Sequence, residues 1–349
     1  MDWTVPPAAE PGDGVAIVAP ASGLAAEYEA VYDYGIERIE AFGLDPVPYP
    51  TATADDDYLY DHPEKRARDV ESAFRDPEIA AVIATIGGND QIRVLDRLDT
   101  DVLAANPTRF FGFSDNTNIA LALWNEGIVS YHGGMVMTQW AQPGAMFDHT
   151  ERYLRRALFE DELGDVEPAP AFSDEPADFD GPTLDEPRGR EDNPGHGWAG
   201  ADETVAGRVW GGCLEILDVG FVTDRYLPPD EALDGRVLAV ETSEELPGPE
   251  LVRRVLMAMG ERGVLERFAG VLVGRPIARA HDKPRDREWR KSYRADLRDA
   301  IETVVSRYNP DAPIVTGLDF GHTHPNVPIP IGGRVEIDPG EKRVSFSEP

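Results

Sequence analysis

From residue 14 to residue 160 the chain alternates between short apolar runs and longer amphipathic stretches. "GVAIVAP" predicts a buried strand, and "EYEAVYDYGIERIEAFG" predicts a helix stopped by Gly43. "PEKRARDVESAFRD" has a proline start and helical spacing, and "IAAVIATIGG" is again strand-like. The pattern continues through "FFGFS", "NTNIALALWNEG", "IVSYH" and "HTERYLRRALFE". Strands that are apolar on both faces, separated by helices, imply a parallel sheet covered on both sides. Ligands of such sheets bind beyond the carboxyl ends of the strands. Three loops fall there: "APASG" at 19–23, "TIGGND" at 85–90 and "GFSDN" at 112–116.

Periodicity vanishes from about 161 to 204, where proline, glycine and acidic residues accumulate. Such a composition predicts a linker or a long surface loop. Trp198 near its end is read either as an aromatic anchoring the loop or as a ligand-stacking group. Beyond it "RVLAVET" and "AGVLVGRP" are strand-like, whereas "GPELVRRVLMAMGERG" and "REWRKSYRADLRDAIETVVSRY" are helical. The last stretch suggests short strands closed by a hairpin with "PGEK" as its turn. The expected architecture is α/β: a flavodoxin- or Rossmann-like parallel-sheet domain at 1–165, an acidic linker or active-site loop at 166–204, and a smaller β-rich mixed domain at 205–349.

Charge narrows the partners. The chain has 65 acidic residues against 33 basic ones, a formal net charge of -32. That field repels phosphate backbones and anionic lipid, so neither nucleic acid nor membrane is expected as a partner. Its even spread suggests adaptation to a high-salt cytoplasm, where screening makes self-repulsion tolerable. The apolar runs fall well short of the roughly 20 residues a membrane helix needs. "MDWTVPPAAEPGDG" resembles a short acidic tail and not a signal peptide, which also suggests a cytoplasmic protein. Cys213, the single cysteine, excludes an internal disulfide and reads as a buried small apolar residue, with a catalytic thiol as its lesser reading.

Ser114 stands where the strand of "FFGFS" gives way to a helix. It can be an N-cap, or a nucleophile with the helix N-terminus aimed at an oxyanion. A base and an orienting group are needed to choose. Among seven histidines, His322 is held in a rigid turn, "GLDFGHTHPNVPIPIG", and is the first candidate base; His132 after "IVSY" is the second. Glu241 ends the apolar strand "RVLAVET", where a carboxylate is costly unless paired or functional; Glu244 and Glu245 read as solvated. The glycines of "TIGGND" are either a tight turn or a close approach that lets the Gly88 and Asp115 amides form an oxyanion hole. No G-x-G-x-x-G opens a helix, so no dinucleotide is expected. Asp319, His322 and His324 read D-x-x-H-x-H, leaving a metal-dependent hydrolase as the alternative, alongside a non-catalytic binding protein.

Together "IVAPAS", "TIGGNDQIRVLD", "FFGFSDNTNIALALW", "VAGRVWGGCLEIL", "LAVETSEELPGPE", "GVLVGRP" and "GLDFGHTHPNVPIPIG" resemble the LD-carboxypeptidase family of serine peptidases, especially its microcin C immunity branch. The resemblance implies a Ser-Glu-His triad of Ser114, Glu241 and His322, no cofactor, and a homodimer. It implies cleavage of an amide near a peptide C-terminus, in a small peptide or in a peptidyl or aminoacyl nucleotide. A carboxypeptidase must bind a terminal carboxylate, for which Arg93 is a candidate; a helix-surface ion pair is its other reading. In the immunity branch a loop tryptophan can stack on the base, which suggests Trp198.

Overall fold

A computed structural model of the chain describes residues 2–175, 179, 184–280 and 282–347. Strands β1 (Gly14–Val18), β2 (Asp45–Pro48), β3 (Ile79–Ala84), β4 (Arg109–Phe111) and β5 (Ser130–His132) are parallel neighbours in the order 5-4-3-1-2. β3 and β4 are buried almost throughout, as strands covered on both faces must be. The intervening helices include Glu29–Ala41, Pro63–Arg75 with proline in its first turn, and Thr117–Asn125.

The remaining strands are β6 (Gly164–Asp165), β7 (Ala171–Phe172), β8 (Glu191–Asp192), β9 (Gly197–Gly200), β10 (Val205–Cys213), β11 (Val237–Glu241), β12 (Gly270–Gly274), β13 (Pro313–Leu318), β14 (Ile329–Ile331), β15 (Arg334–Asp338) and β16 (Arg343–Ser347). The second sheet runs 6-16-15-10-11-12-13-9. Its centre, β10 to β13, is parallel and flanked by helices Pro249–Glu261 and Arg287–Tyr308; both margins are antiparallel. β10 joins the two parts, since Val205–Arg208 pairs with β15 and Val209–Cys213 with β11. The expected hairpin is β15–β16, closing at Asp338 and Arg343.

Three departures from the sequence reading matter for the site. β14 crosses back to the first sheet and pairs antiparallel with β5, so the sheet begun by residue 14 is completed by residues 329–331. The N-terminal stretch is no free tail: the Thr4 amide donates to the Gly127 carbonyl, the Val129 amide donates to Thr4, and the Trp3 ring meets Trp124 edge-on. The acidic segment is also anchored, although its residues 176–178 and 180–183 lie outside the described ones. β9 extends the second sheet along β13, β7 and β8 form a ribbon, and Ser173 pairs through its backbone with His324. The carboxylate of Asp174 is buried there among Arg279, Arg290 and Arg294. A buried charge needs such partners, which periodicity cannot reveal.

Candidate active site

β4 ends at Phe111, and after two residues the chain enters a single 3-10 turn, Ser114–Asn116, before helix Thr117–Asn125. Ser114 has a φ of 59°, a left-handed conformation that costs a residue bearing a Cβ about 1–2 kcal/mol. Capping does not explain it, because neither the turn nor the helix has a side-chain cap. The neighbouring side chains hold the turn in place instead. Asp115 accepts from the Gln91 amide at 2.8 Å and from Asn118 Nδ2 at 2.9 Å. Asn116 accepts from Gln91 Nε2 at 2.8 Å and donates to the Ile86 carbonyl at 3.0 Å. Burial pushes the Asp115 carboxyl up to about 6, although the Gln91 amide opposes it. These bonds fix the "FSDN" turn against the "TIGGND" loop.

That loop passes so close to the serine that only glycine fits. A Cβ on Gly87 would lie 2.8 Å from Ser114 Cβ and 2.9 Å from its Oγ. Gly87→Ala is therefore expected to displace the hydroxyl and cut turnover about a hundredfold, since an error near 1 Å at a reacting atom costs that much. Steady-state kinetics on a variant shown to be folded would check it; unaltered turnover would contradict the close approach.

Glu241 terminates β11 and is buried. Its Oε2 lies 2.6 Å from His322 Nδ1 and its Oε1 lies 3.3 Å from His132 Nε2. Burial alone would raise its pKa, but the two histidines hold it down to about 2. Gly321, at φ 92°, makes room, because a Cβ there would meet Glu241 Oε2 at 2.5 Å. The ring of Phe113, the residue before Ser114, packs edge-on against His322 at 4.9 Å between centroids. Burial lowers the affinity of His322 for a proton, yet Glu241 and Glu244 raise its pKa to about 9. Ser114 and His322 thus line one cavity of about 630 Å³, with Gly87, Gly88 and Phe113.

The other sequence candidates have separate fates. Gly88 lines the cavity, and Asp115 lies directly behind it. Arg93 is 39% exposed, pairs with Asp90 at 2.9 Å, stacks over Tyr60, and is not part of the cavity wall. Arg188, which sequence reasoning passed over, is the one Arg or Lys lining the cavity among the described residues. Trp198 sits in β9 opposite Val315, packed against the core and outside the lining. Cys213 is buried at the end of β10, and burial and Glu241 push its thiol well up. Asp319 is spent on Arg275 at 2.9 Å, and His324 is buried and paired through its backbone with Ser173. Among the described residues no three His, Cys, Asp or Glu are grouped to hold a metal ion, so the D-x-x-H-x-H spacing does not become a ligand set.

Two residues contradict simpler expectations. His132, read as a second-choice base, is buried on the far oxygen of Glu241. Glu244, read as solvated, is 58% exposed in its side chain but reaches His322 Nε2 at 3.1 Å. Neither contact has a sequence signal, since each joins segments that meet only in the fold.

Proteins of similar sequence and fold identify the family. The model of the LD-carboxypeptidase N-terminal domain matches residues 15–133, and that of the LD-carboxypeptidase C-terminal domain matches residues 206–337. The chain is 23% identical to the microcin C7 self-immunity protein MccF of Escherichia coli, over 90% of this chain and 87% of that protein. It is 25% identical to the "Probable murein peptide carboxypeptidase" of Bacillus subtilis, over 97% of this chain and 92% of the relative. A crystal structure of an MccF-like protein from Streptococcus pneumoniae in complex with AMP superposes with a TM-score of 0.86 at 28% identity, over 97% of this chain and 99% of the other. With both domain models matched in order and the same fold across nearly its whole length, the chain belongs to the LD-carboxypeptidase family and is a serine peptidase of carboxypeptidase type.

Proposed function

We propose that Ser114 is the nucleophile, His322 its base and Glu241 the group that orients and charges the imidazole. The observation that carries this is the 2.6 Å contact of Glu241 with Nδ1 of His322, whose ring lines the same cavity as the left-handed Ser114. His322 Nε2 takes the hydroxyl proton as Ser114 Oγ attacks the amide carbon, and returns it to the departing amine. The amides of Gly88 and Asp115 hold the oxyanion, and water then cleaves the acyl-enzyme. Terminal-carboxylate recognition falls better to Arg188, in the wall, than to Arg93, which is occupied outside it. Stacking by Trp198 would require β9 to reach the ligand from outside the present lining; Tyr28, Tyr60, Phe113 and Phe179 already supply aromatic surface there.

The substrate is a small peptide or a peptidyl or aminoacyl nucleotide. The cavity volume of about 630 Å³ suits ligands of that size. The AMP complex of the pneumococcal relative and the name of the Bacillus relative support the two classes respectively. A homodimer in a salt-rich cytoplasm is the setting that composition and family suggest. No helix among the described residues is long and apolar enough to cross a membrane. The reading is tested by incubating the protein at high salt with L,D-tetrapeptides and with aminoacyl-sulfamoyl nucleotides and weighing the products. Shortening of the tetrapeptide by its terminal residue, or release of the sulfamoyl nucleoside together with a free amino acid, identifies the class; no cleavage of either would count against the proposal.

A further inference from the structure

An imidazole has two nitrogens, and the surroundings of His322 occupy both. Nδ1 is taken by Glu241 at 2.6 Å, leaving Nε2 as the only atom able to accept the proton of Ser114. Nε2, however, lies 3.1 Å from Oε2 of Glu244. An ionised carboxylate only accepts hydrogen bonds, so each of these contacts requires an N–H on the ring. A ring that donates from both nitrogens is an imidazolium and has no lone pair with which to act as a base.

The two carboxylates differ in how firmly they are placed. Glu241 ends a strand, is fully enclosed, and is held by His132 as well. Glu244 is 58% exposed and lies in the irregular segment between β11 and helix Pro249–Glu261. An ion pair so open to solvent is weak and easily broken. Glu244 also lines the cavity beside His322, so a molecule seated there meets it.

We propose that Glu244 is a positioning residue that occupies Nε2 of His322 in the free protein, and that its displacement by bound substrate frees this nitrogen to face Ser114. The inference rests on the triad reading above. In the free protein the ring stays doubly protonated; when Glu244 leaves, the Nε2 proton passes to water and the lone pair turns to the serine hydroxyl. The other groups acting on the ring stay in place: Glu241 on β11, with His132 behind it, Glu215 on helix Leu214–Thr223, His324 two residues on, and the uncharged edge of Phe113. The rise of the His322 pKa to about 9 is consistent with this clamp, since the Glu244 charge contributes to it after that of Glu241.

The test is the rate of Ser114 modification by a small fluorophosphonate as a function of pH, followed by mass spectrometry of the intact protein. A base must be neutral, so the wild-type rate should climb with pH until the ring deprotonates. Glu244→Gln should move this limb to lower pH by about one unit, speeding labelling about tenfold at pH 7. Glu245→Gln removes the same charge from the next residue, which makes no ion pair with the ring, and should move the limb far less. Glu244→Asp, which keeps the charge on a shorter arm, separates loss of contact from loss of field. The proposal is overturned if the Glu244→Gln limb coincides with the wild type, or shifts no more than that of Glu245→Gln. If the wild-type protein is not labelled at Ser114 at any pH, the triad reading itself fails, an outcome distinct from either.

Discussion

Ser114→Ala is expected to lower kcat by about a millionfold, the scale seen when a serine nucleophile is removed from a working triad. The variant should fold and still bind substrate, because the Ser114 hydroxyl caps no helix and the turn is held by Asp115 and Asn116. Ser114→Gly sharpens the test. It removes the Cβ that makes a φ of 59° costly, so its melting temperature should equal or exceed that of the wild type while activity disappears. Kinetics and calorimetry on the two variants check this together. Residual turnover near the wild-type level in either variant would remove Ser114 from the chemistry. A large fall in stability in both would mean that the residue serves the fold instead.

Glu241→Ala should also cripple activity, though less than Ser114→Ala, and unlike Ser114→Ala it should destabilise the protein. The substitution leaves His322 and His132 facing an empty site, and removing one partner of a buried ion pair costs about 3–5 kcal/mol. Activity should fall by about ten-thousandfold, as when an orienting carboxylate is lost from a triad. The pH dependence has a definite sign. The carboxyl of Glu241 falls from 4.5 to about 2 on folding, so its contribution is present above pH 4.5 and is lost as pH falls toward 2. His322 rises from 6.5 to about 9, so its contribution is complete below pH 6.5 and is lost as pH rises through 9. The gap in melting temperature between wild type and Glu241→Ala should therefore be widest between about pH 4.5 and 6.5 and narrow on both sides. A gap independent of pH would show that the pair does not ionise as described.

Much of this site could be read from the chain because its parts follow strand ends. Alternating apolar and amphipathic stretches imply a parallel sheet, and a parallel sheet concentrates chemistry at its carboxyl edge. Ser114 follows β4, the "TIGGND" loop follows β3, and Glu241 ends β11. An acid at the end of a buried run stands out because burial is expensive without a partner. Its partner His322 is suggested by the stiffness of the turn that holds it and by the family resemblance.

The misread residues share one feature: their roles depend on a neighbour distant in sequence. His132 looked available until Glu241, more than a hundred residues later, was placed on its ring. The segment around Asp174 could be read only as a linker or an active-site loop, because the arginines that surround its carboxylate come from the last third of the chain.

Local sequence thus determined the strand–helix alternation, the turn that bears Ser114 and the acid that ends β11, because propensity, periodicity and the cost of burial act over a few residues. Only the tertiary structure decided that β14 completes the first sheet, that Glu241 serves two histidines, and that Glu244 sits on Nε2 of His322. Such contacts are set by how two sheets meet, and their energies depend on distances of a few ångströms that no pattern along the chain encodes.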